Sequence, residues 1–442
     1  MDDEVTSMSS ILQCMDCKRE YPLNEVIYTC PSCGGLLDIQ HDLATLQHII
    51  TRELFDERLG ALDKPFNSGV WRYKELVYPD IADEKIITRG EGNTTLYDTP
   101  KLASWAGVER LYLKHEGENP TGSFKDRGMT GGVTQANVLG MSRIACASTG
   151  NTSASMAAYA AMADIEGIIF FENKNIALGK LSQAIAYGAI CLQVNADFDR
   201  NLELVREAGE KLAIYVLNSV NPFRLEGQKT IMLETIQQLR WQVPDWIVVP
   251  GGNLGNSSAF GQALSEMHCL GLIDRLPRLA IIQAEGASPL YQSYEPAPDS
   301  LEYRRGIDEL TSMKADTIAT AIKIGNPVNF PKAIRSLRLT NGVVETVTDQ
   351  QIMDAKALID RQGIGCEPAS ACSLAGTRKL VETGIIQSHE TVVGILTGHL
   401  LKDPDATIGY HQNTLERLKA NHANQLHPIE PDIDAVTHIL GN

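Results

Sequence analysis

Short apolar runs recur along most of this chain: RLYLKHE (110–116), RIACAST (143–149), EGIIFFE (166–172), AICLQV (189–194), IYVLNS (214–219), DWIVVPGG (245–252), RLAIIQAE (278–285) and ETVVGILTG (390–398). Between them lie stretches with helical spacing, such as NTSASMAAYAAMA, ALGKLSQAIAYG, FDRNLELVREAGEKLA and RLEGQKTIMLETIQQLR. A strand apolar at successive positions must be covered on both faces, and strands that alternate with helices favour parallel pairing. The pattern therefore predicts an α/β protein with parallel sheets wrapped by helices. Such sheets take ligands at the carboxyl ends of their strands, so chemistry is to be sought just after the apolar runs.

The formal net charge of −16 over 442 residues disfavours general binding to nucleic acid or anionic membrane. The opening MDDEVTSMSS lacks the basic and apolar parts of a signal peptide, and no apolar run approaches the ~20 residues that span a bilayer. These features make a cytoplasmic protein the expectation. Residues 289–333, rich in Pro, Ser and charge, read as a long irregular excursion.

Cys14, Cys17, Cys30 and Cys33 form two C-x2-C turns in CMDC and CPSCGG. Each turn brings two thiols together, and two turns at hairpin separation can supply a tetrahedral four-thiolate site. A zinc-ribbon-like module over 1–45 is expected, with Zn2+ in a structural role because all four positions would be protein-filled; iron, or reduced cysteines without metal, are the alternatives. The other five cysteines lie in apolar or small-residue contexts and read as buried small hydrophobes.

Four segments after apolar runs stand out. In DWIVVPGGNLGNSSAF, Gly252, Asn253, Leu254, Gly255 and Asn256 join a strand to a helix, and converging N–H groups at a helix N-terminus suit a phosphate. It is neither a P-loop nor a dinucleotide fingerprint, and a plain connector would look similar. In STGNTSAS, Asn151 and Thr152 open an Ala-rich helix, where an ordinary N-cap run is the alternative. In LNSVNPFRLEG, Asn218, Ser219 and Arg224 bracket a helix start; the guanidinium could clamp an oxyanion or form a surface salt bridge. In ILTGH, Thr397 ends a strand. Earlier, ENPTGSFKDRGM sets Lys125 at the mouth of a helix after a small-residue turn.

Taken in order, ENPTGSFKDRGM, STGNTSAS, GGNLGN and LTGH resemble the motifs of the fold-type-II pyridoxal-phosphate enzymes. ITRGEGNTTLYDTPKL, SVNPFRLEGQKT and ATAIKIGNPVNF are similar to segments of the threonine synthase family within that group, over roughly residues 65–405. Thr95 departs from the proline usual in the early motif.

The resemblance implies a two-domain enzyme related in fold to the tryptophan synthase β chain. Its large domain would span 46–115 and 220–442 and its small domain 116–219. It implies pyridoxal 5'-phosphate as cofactor and Lys125 as its Schiff-base lysine. Asn151 would meet the ring's 3′ oxygen, residues 252–256 the cofactor phosphate, and Thr397 the pyridine nitrogen. The implied reaction turns O-phosphohomoserine and water into threonine and phosphate, with Thr152, Asn218, Ser219 and Arg224 forming a second anion site for this phospho-amino-acid substrate. A cysteate-synthase-like enzyme replacing phosphate at the β carbon would keep that site; a serine or threonine dehydratase would not need it. Nucleic acid and membrane are not expected partners, and a homodimer is compatible with the family.

Overall fold

The computed structural model describes residues 10–172, 178–195, 198–294 and 310–441. Expectations placed on residues 1–9 and 295–309 lie outside that range. Thirteen strands are found among the described residues: β1 (Ser10–Cys14), β2 (Glu20–Tyr21), β3 (Leu37–His41), β4 (Leu96–Asp98), β5 (Arg110–His115), β6 (Arg143–Ala147), β7 (Glu166–Glu172), β8 (Ile190–Val194), β9 (Tyr215–Val216), β10 (Trp246–Pro250), β11 (Arg278–Ala284), β12 (Val343–Val347) and β13 (Thr391–Leu396). They form a three-stranded sheet β2-β1-β3, a six-stranded sheet β12-β11-β10-β13-β5-β4 and a four-stranded sheet β8-β7-β6-β9.

Every apolar run singled out above becomes a strand, and these strands pair in parallel. Two strands of the large sheet escape the run pattern. Edge strand β4 pairs antiparallel to β5 through a three-residue register, too short to show a period. VVETV of β12 carries charge and threonine, yet all five residues are buried beside β11. The 289–333 region holds a short helix at Pro289–Ser293, and a longer one starts at Phe330, three residues before the expected end of the excursion.

Both faces of the large sheet are covered. Ile247, Val249, Ile281, Val393 and Ile395 pack into one core, whereas their neighbours Val248, Ala280, Ile282, Val392 and Leu396 pack into another. Alternation of side chains across the pleat gives each strand a foot in both cores, and each fully buried aliphatic side chain contributes about 1.5–3 kcal/mol. The four-stranded sheet repeats the arrangement, with Ile144 and Cys146 on one side and Ala145 and Ala147 on the other.

Five helices position the residues of the cleft: α1 (Lys125–Val138), α2 (Asn151–Ala163), α3 (Pro222–Gln238), α4 (Gly255–Cys269) and α5 (Pro368–Glu382). No helix among the described residues is long and apolar enough to cross a membrane.

The three-stranded sheet is fastened to this body by charge and apolar contact. Asp38 pairs with Lys332 at 2.9 Å and with Arg335, which hold its carboxyl at about 2 against the opposing effect of burial. His41 Nε2 lies 2.9 Å from Glu226, and Lys229 sits between Glu226 and Glu266 at 2.5 and 2.8 Å. The Lys229 ammonium bonds both carboxylates, and through His41 the cluster staples the three-stranded sheet to the body. Phe223 at the start of α3 packs among Leu12, Leu23 and Ile39.

Candidate active site

Backbone pairing brings the distant motifs together. Phe124 N donates to Thr397 O at 3.0 Å, His399 N donates to Gly122 O at 2.9 Å, and Ser123 bridges Gly398. The turn before α1 is held by Asp126, whose carboxylate accepts from Thr121 N and Thr121 Oγ1 at 2.6 Å each and from Ser155 Oγ at 2.5 Å. Gly122 has φ +86°, which a side chain rarely tolerates. Lys125 is thereby fixed across from the end of β13.

Around it opens a cleft of ≈1670 Å³ at the carboxyl ends of β5, β6, β9, β10 and β13. Lys125, Asn151, Thr152, Asn218, Ser219 and Thr397 reach its wall, and so do all of residues 252–256. Arg224 does not. It is fully buried behind the wall, with Nη1 donating to Leu217 O at 3.1 Å and Nε and Nη2 without a partner among the described residues. Burial pushes its guanidinium down to about 10. Asn218 is engaged with the backbone of Ala147, accepting from its N at 3.1 Å and donating to its O at 3.2 Å, which ties β9 to β6.

Lys125 is half-buried, and its amine is lowered to about 7 by burial, then by the charge of Arg224, with Glu367 opposing. Its place at the first residue of α1 further disfavours the ammonium. A lysine near neutrality is a usable nucleophile and base.

The 252–256 turn has a donor-rich geometry. Leu254 adopts φ +63° at the N-cap of α4, and no side chain caps the helix. Its first-turn N–H groups are left for another acceptor. Nearby, Asn256 Oδ1 and Ser257 Oγ are buried without a partner among the described residues. A Cβ on Gly252 would lie 3.1 Å from Ile322 Cα, so glycine keeps that side passable.

Glu367, which the motif reading passed over, also lines the cleft. It accepts from Asn151 Nδ2 at 3.0 Å and from Thr397 Oγ1 at 3.1 Å. Its only sequence signal is a Glu-Pro pair at a helix start, which reads as ordinary N-terminal chemistry. Lys402 is a second overlooked cleft residue; its amine donates to Gln183 Oε1, and burial lowers it.

These residues fit pyridoxal phosphate: a lysine amine near neutrality, an uncapped helix N-terminus beside unpartnered buried polar atoms, and a roomy cleft between. In the three-stranded sheet, the ligand atoms of Cys14, Cys17, Cys30 and Cys33 all lie within 4.8 Å of one another, and none of the four lines the cleft. Burial there is uneven, with Cys14 and Cys30 inside and Cys17 and Cys33 exposed.

Comparisons with known proteins agree with this architecture. Residues 87–398 match the family described as pyridoxal-phosphate dependent enzyme. The chain is 48% identical over 398 residues to the threonine synthase of Methanocaldococcus jannaschii, covering 90% of this chain and 94% of that one. It is 40% identical over 433 residues to the chloroplastic threonine synthase 2 of Arabidopsis thaliana, covering 96% and 82%. Maize serine racemase superposes with a TM-score of 0.59 at 19% identity, over 78% of this chain and 98% of that one, a likeness of fold. Fold and cleft thus define a fold-type-II pyridoxal-phosphate enzyme with parallel sheets and an appended four-cysteine module. The chain belongs to the pyridoxal-phosphate dependent enzyme family and, within it, to the threonine synthases.

Proposed function

We propose that this enzyme converts O-phosphohomoserine and water to threonine and phosphate. The observation that carries the reading is a near-neutral lysine amine placed between two anion-receptive regions of one cleft. One is the uncapped start of α4 at residues 252–256. The other is the 218–224 connection, with Ser219 on the wall and, behind it, the Arg224 guanidinium, one of whose three nitrogens is hydrogen-bonded among the described residues. A dehydratase needs only the first; a substrate with its own phosphate uses both.

Pyridoxal phosphate, when bound, supplies an electron sink that acidifies the substrate's Cα and Cβ protons. Lys125 would hold it, with residues 252–256 receiving its phosphate and Asn151 and Thr397 facing its ring. The neutral Lys125 amine takes and returns protons at the substrate carbons. Thr152, Ser219 and the field of Arg224 receive the γ-phosphate as its C–O bond breaks. Asn218 acts by holding the 218–219 turn against Ala147. Water oxygen then bonds to Cβ, and Cγ gains a proton to become the methyl of threonine. We assign Zn2+ to the four thiols as a structural ion. The two larger sheets serve as the cores of the two domains that flank the cleft.

The test is product formation by the cofactor-loaded protein. O-Phosphohomoserine should yield threonine and phosphate in equal amounts. Faster phosphate release from O-phosphoserine would move the assignment to a β-replacing enzyme; release of ammonia from serine or threonine as the main activity would make it a dehydratase.

A further inference from the structure

Glu367 occupies the N-cap of α5, where an acidic side chain ordinarily accepts from the helix's own first-turn N–H groups. It makes no such bond. Its carboxylate turns instead into the cleft and takes one hydrogen bond from Thr397 and one from Asn151. Room for this is specific: a Cβ on Gly398 would fall 2.5 Å from the Glu367 carboxyl carbon. The residue is only 4% exposed and has no ion-pair partner among the described residues; the Lys125 and Lys402 amines act on it only at longer range. Cys366 is its buried chain neighbour, and the Asp126 carboxylate acts on Lys402. Burial raises the Glu367 carboxyl above its ordinary value, with the bonds from Asn151 and Thr397 opposing. A carboxylate buried without a bonded cation is costly, and a simple helix cap would not need one.

The consequence lies in proton counting. A hydroxyl has one proton and two lone pairs. While Thr397 donates to Glu367, its oxygen can only accept from anything else. Ser370 Oγ, 3.0 Å away and itself accepting from Thr397 N at 2.8 Å and Gly398 N at 3.0 Å, can fill one lone pair. The remaining one suits a protonated ring nitrogen. If Glu367 holds the proton itself, its O–H donates to Thr397, and the threonine hydroxyl is released to donate to a bare nitrogen. No proton is gained or lost in the relay beyond the one Glu367 exchanges.

We propose that Glu367 is a positioning residue for the cofactor ring: it orients the Asn151 amide and, through Thr397, decides whether the pyridine nitrogen meets an acceptor or a donor. This rests on the reading of the cleft as a pyridoxal-phosphate site.

The test uses the full chain, Glu367→Gln, Thr397→Ser, Thr397→Val and the Glu367→Gln/Thr397→Val double variant. Each is stripped and reloaded with pyridoxal phosphate. Fluorescence gives the cofactor's dissociation constant, the visible band is titrated with pH, and thermal melting reports the fold. Glu367→Gln should weaken cofactor binding by about tenfold, the loss of one charge-assisted hydrogen bond, and should remove or displace the pH transition of the band. Thr397→Ser should behave as the parent. Thr397→Val should reproduce Glu367→Gln, with the double variant no worse than either. Parent-like affinity and a superimposable titration for Glu367→Gln, with or without a lowered melting point, would overturn the proposal and leave the cofactor reading intact. A folded parent protein that takes up no pyridoxal phosphate would overturn both.

Discussion

Two buried groups in this protein contain the same three residue types and treat them oppositely. In the first, Lys114 and Arg127 converge on Glu234 at 2.5 and 2.8 Å, and Arg127 also forks onto Glu116. Burial opposes charge there, but Arg127 and Lys114 hold Glu234 well below the carboxylate range, and Glu116 and Glu234 raise Arg127. In the second, Lys125 and Glu367 line the cleft and Arg224 lies behind its wall, without an ion pair among them. Burial moves each toward its neutral form, Lys125 to about 7, Arg224 to about 10 and Glu367 upward. Lys114 shows the boundary of the contrast: burial lowers it too, and Glu234 and Glu116 offset that only in part. Buried charge that is spent on a partner holds the fold; buried charge left unspent is available to a ligand.

The largest expected effect on stability comes from the first group. Glu234→Gln takes the ion-pair partner from the buried Lys114 ammonium and leaves Arg127 with Glu116 alone, and should cost about 3–5 kcal/mol in denaturant unfolding. Glu234's folded pKa is depressed, so its contribution is fully present above ~4.3 and is lost as pH falls below that toward the folded value. Acid unfolding of the parent should show this loss, and Glu234→Gln should flatten it.

In the second group the same kind of change should strike activity instead. Lys125→Ala should lower turnover by at least the ~10²–10⁴ of general acid–base catalysis, with cofactor still bound non-covalently and melting little changed. The slope with pH has the same sign as for Glu234, but what changes is a burial cost being relieved instead of a stabilising charge pair being kept. The cost of burying a protonated Lys125 is fully present below about 7 and is relieved as pH climbs toward ~10.4. Stability should rise with pH across that window in the cofactor-free protein, and Lys125→Ala should remove the rise. A flat parent profile would place Lys125 with ordinary surface lysines.

Arg224→Met comes next. Loss of its charge should cost about 1.5–3 kcal/mol in transition-state stabilisation, or one to two decades in kcat/KM for phosphohomoserine. The cofactor's absorption should hardly move. Unchanged kinetics would reduce Arg224 to a structural contact with Leu217.

The smallest effect on the cleft should follow metal removal. A chelator, or Cys17→Ser, should loosen the three-stranded sheet, seen as faster hydrogen exchange over residues 10–41, while the cofactor band persists. Loss of the band would mean that the His41–Glu226 and Phe223 contacts carry more than attachment.

The difference between the groups also explains what is legible in the sequence. Strands such as EGIIFFE and the turns around Lys125 and 252–256 are local in sequence and are marked by apolar runs and small residues. Glu367 is not legible, because a glutamate before a proline at a helix start looks like any N-terminal acid, and only the fold shows it turning away from its helix. Arg224 is legible as a residue near the site but not as one lying behind its wall. The staples of Asp38 to Lys332 and His41 to Glu226 join positions far apart in the chain and leave no pattern in either segment. Edge strand β4 is too short to announce itself.

The most direct measurement fixes where the cofactor is held. Protein loaded with pyridoxal phosphate is reduced with borohydride, digested, and its modified peptide sequenced by mass spectrometry. The account predicts a pyridoxyl group on Lys125, in the peptide containing GSFKDRG, and none on the paired Lys114. Labelling of Lys114 or Lys402 in place of Lys125, or no stable label on folded protein, would contradict it.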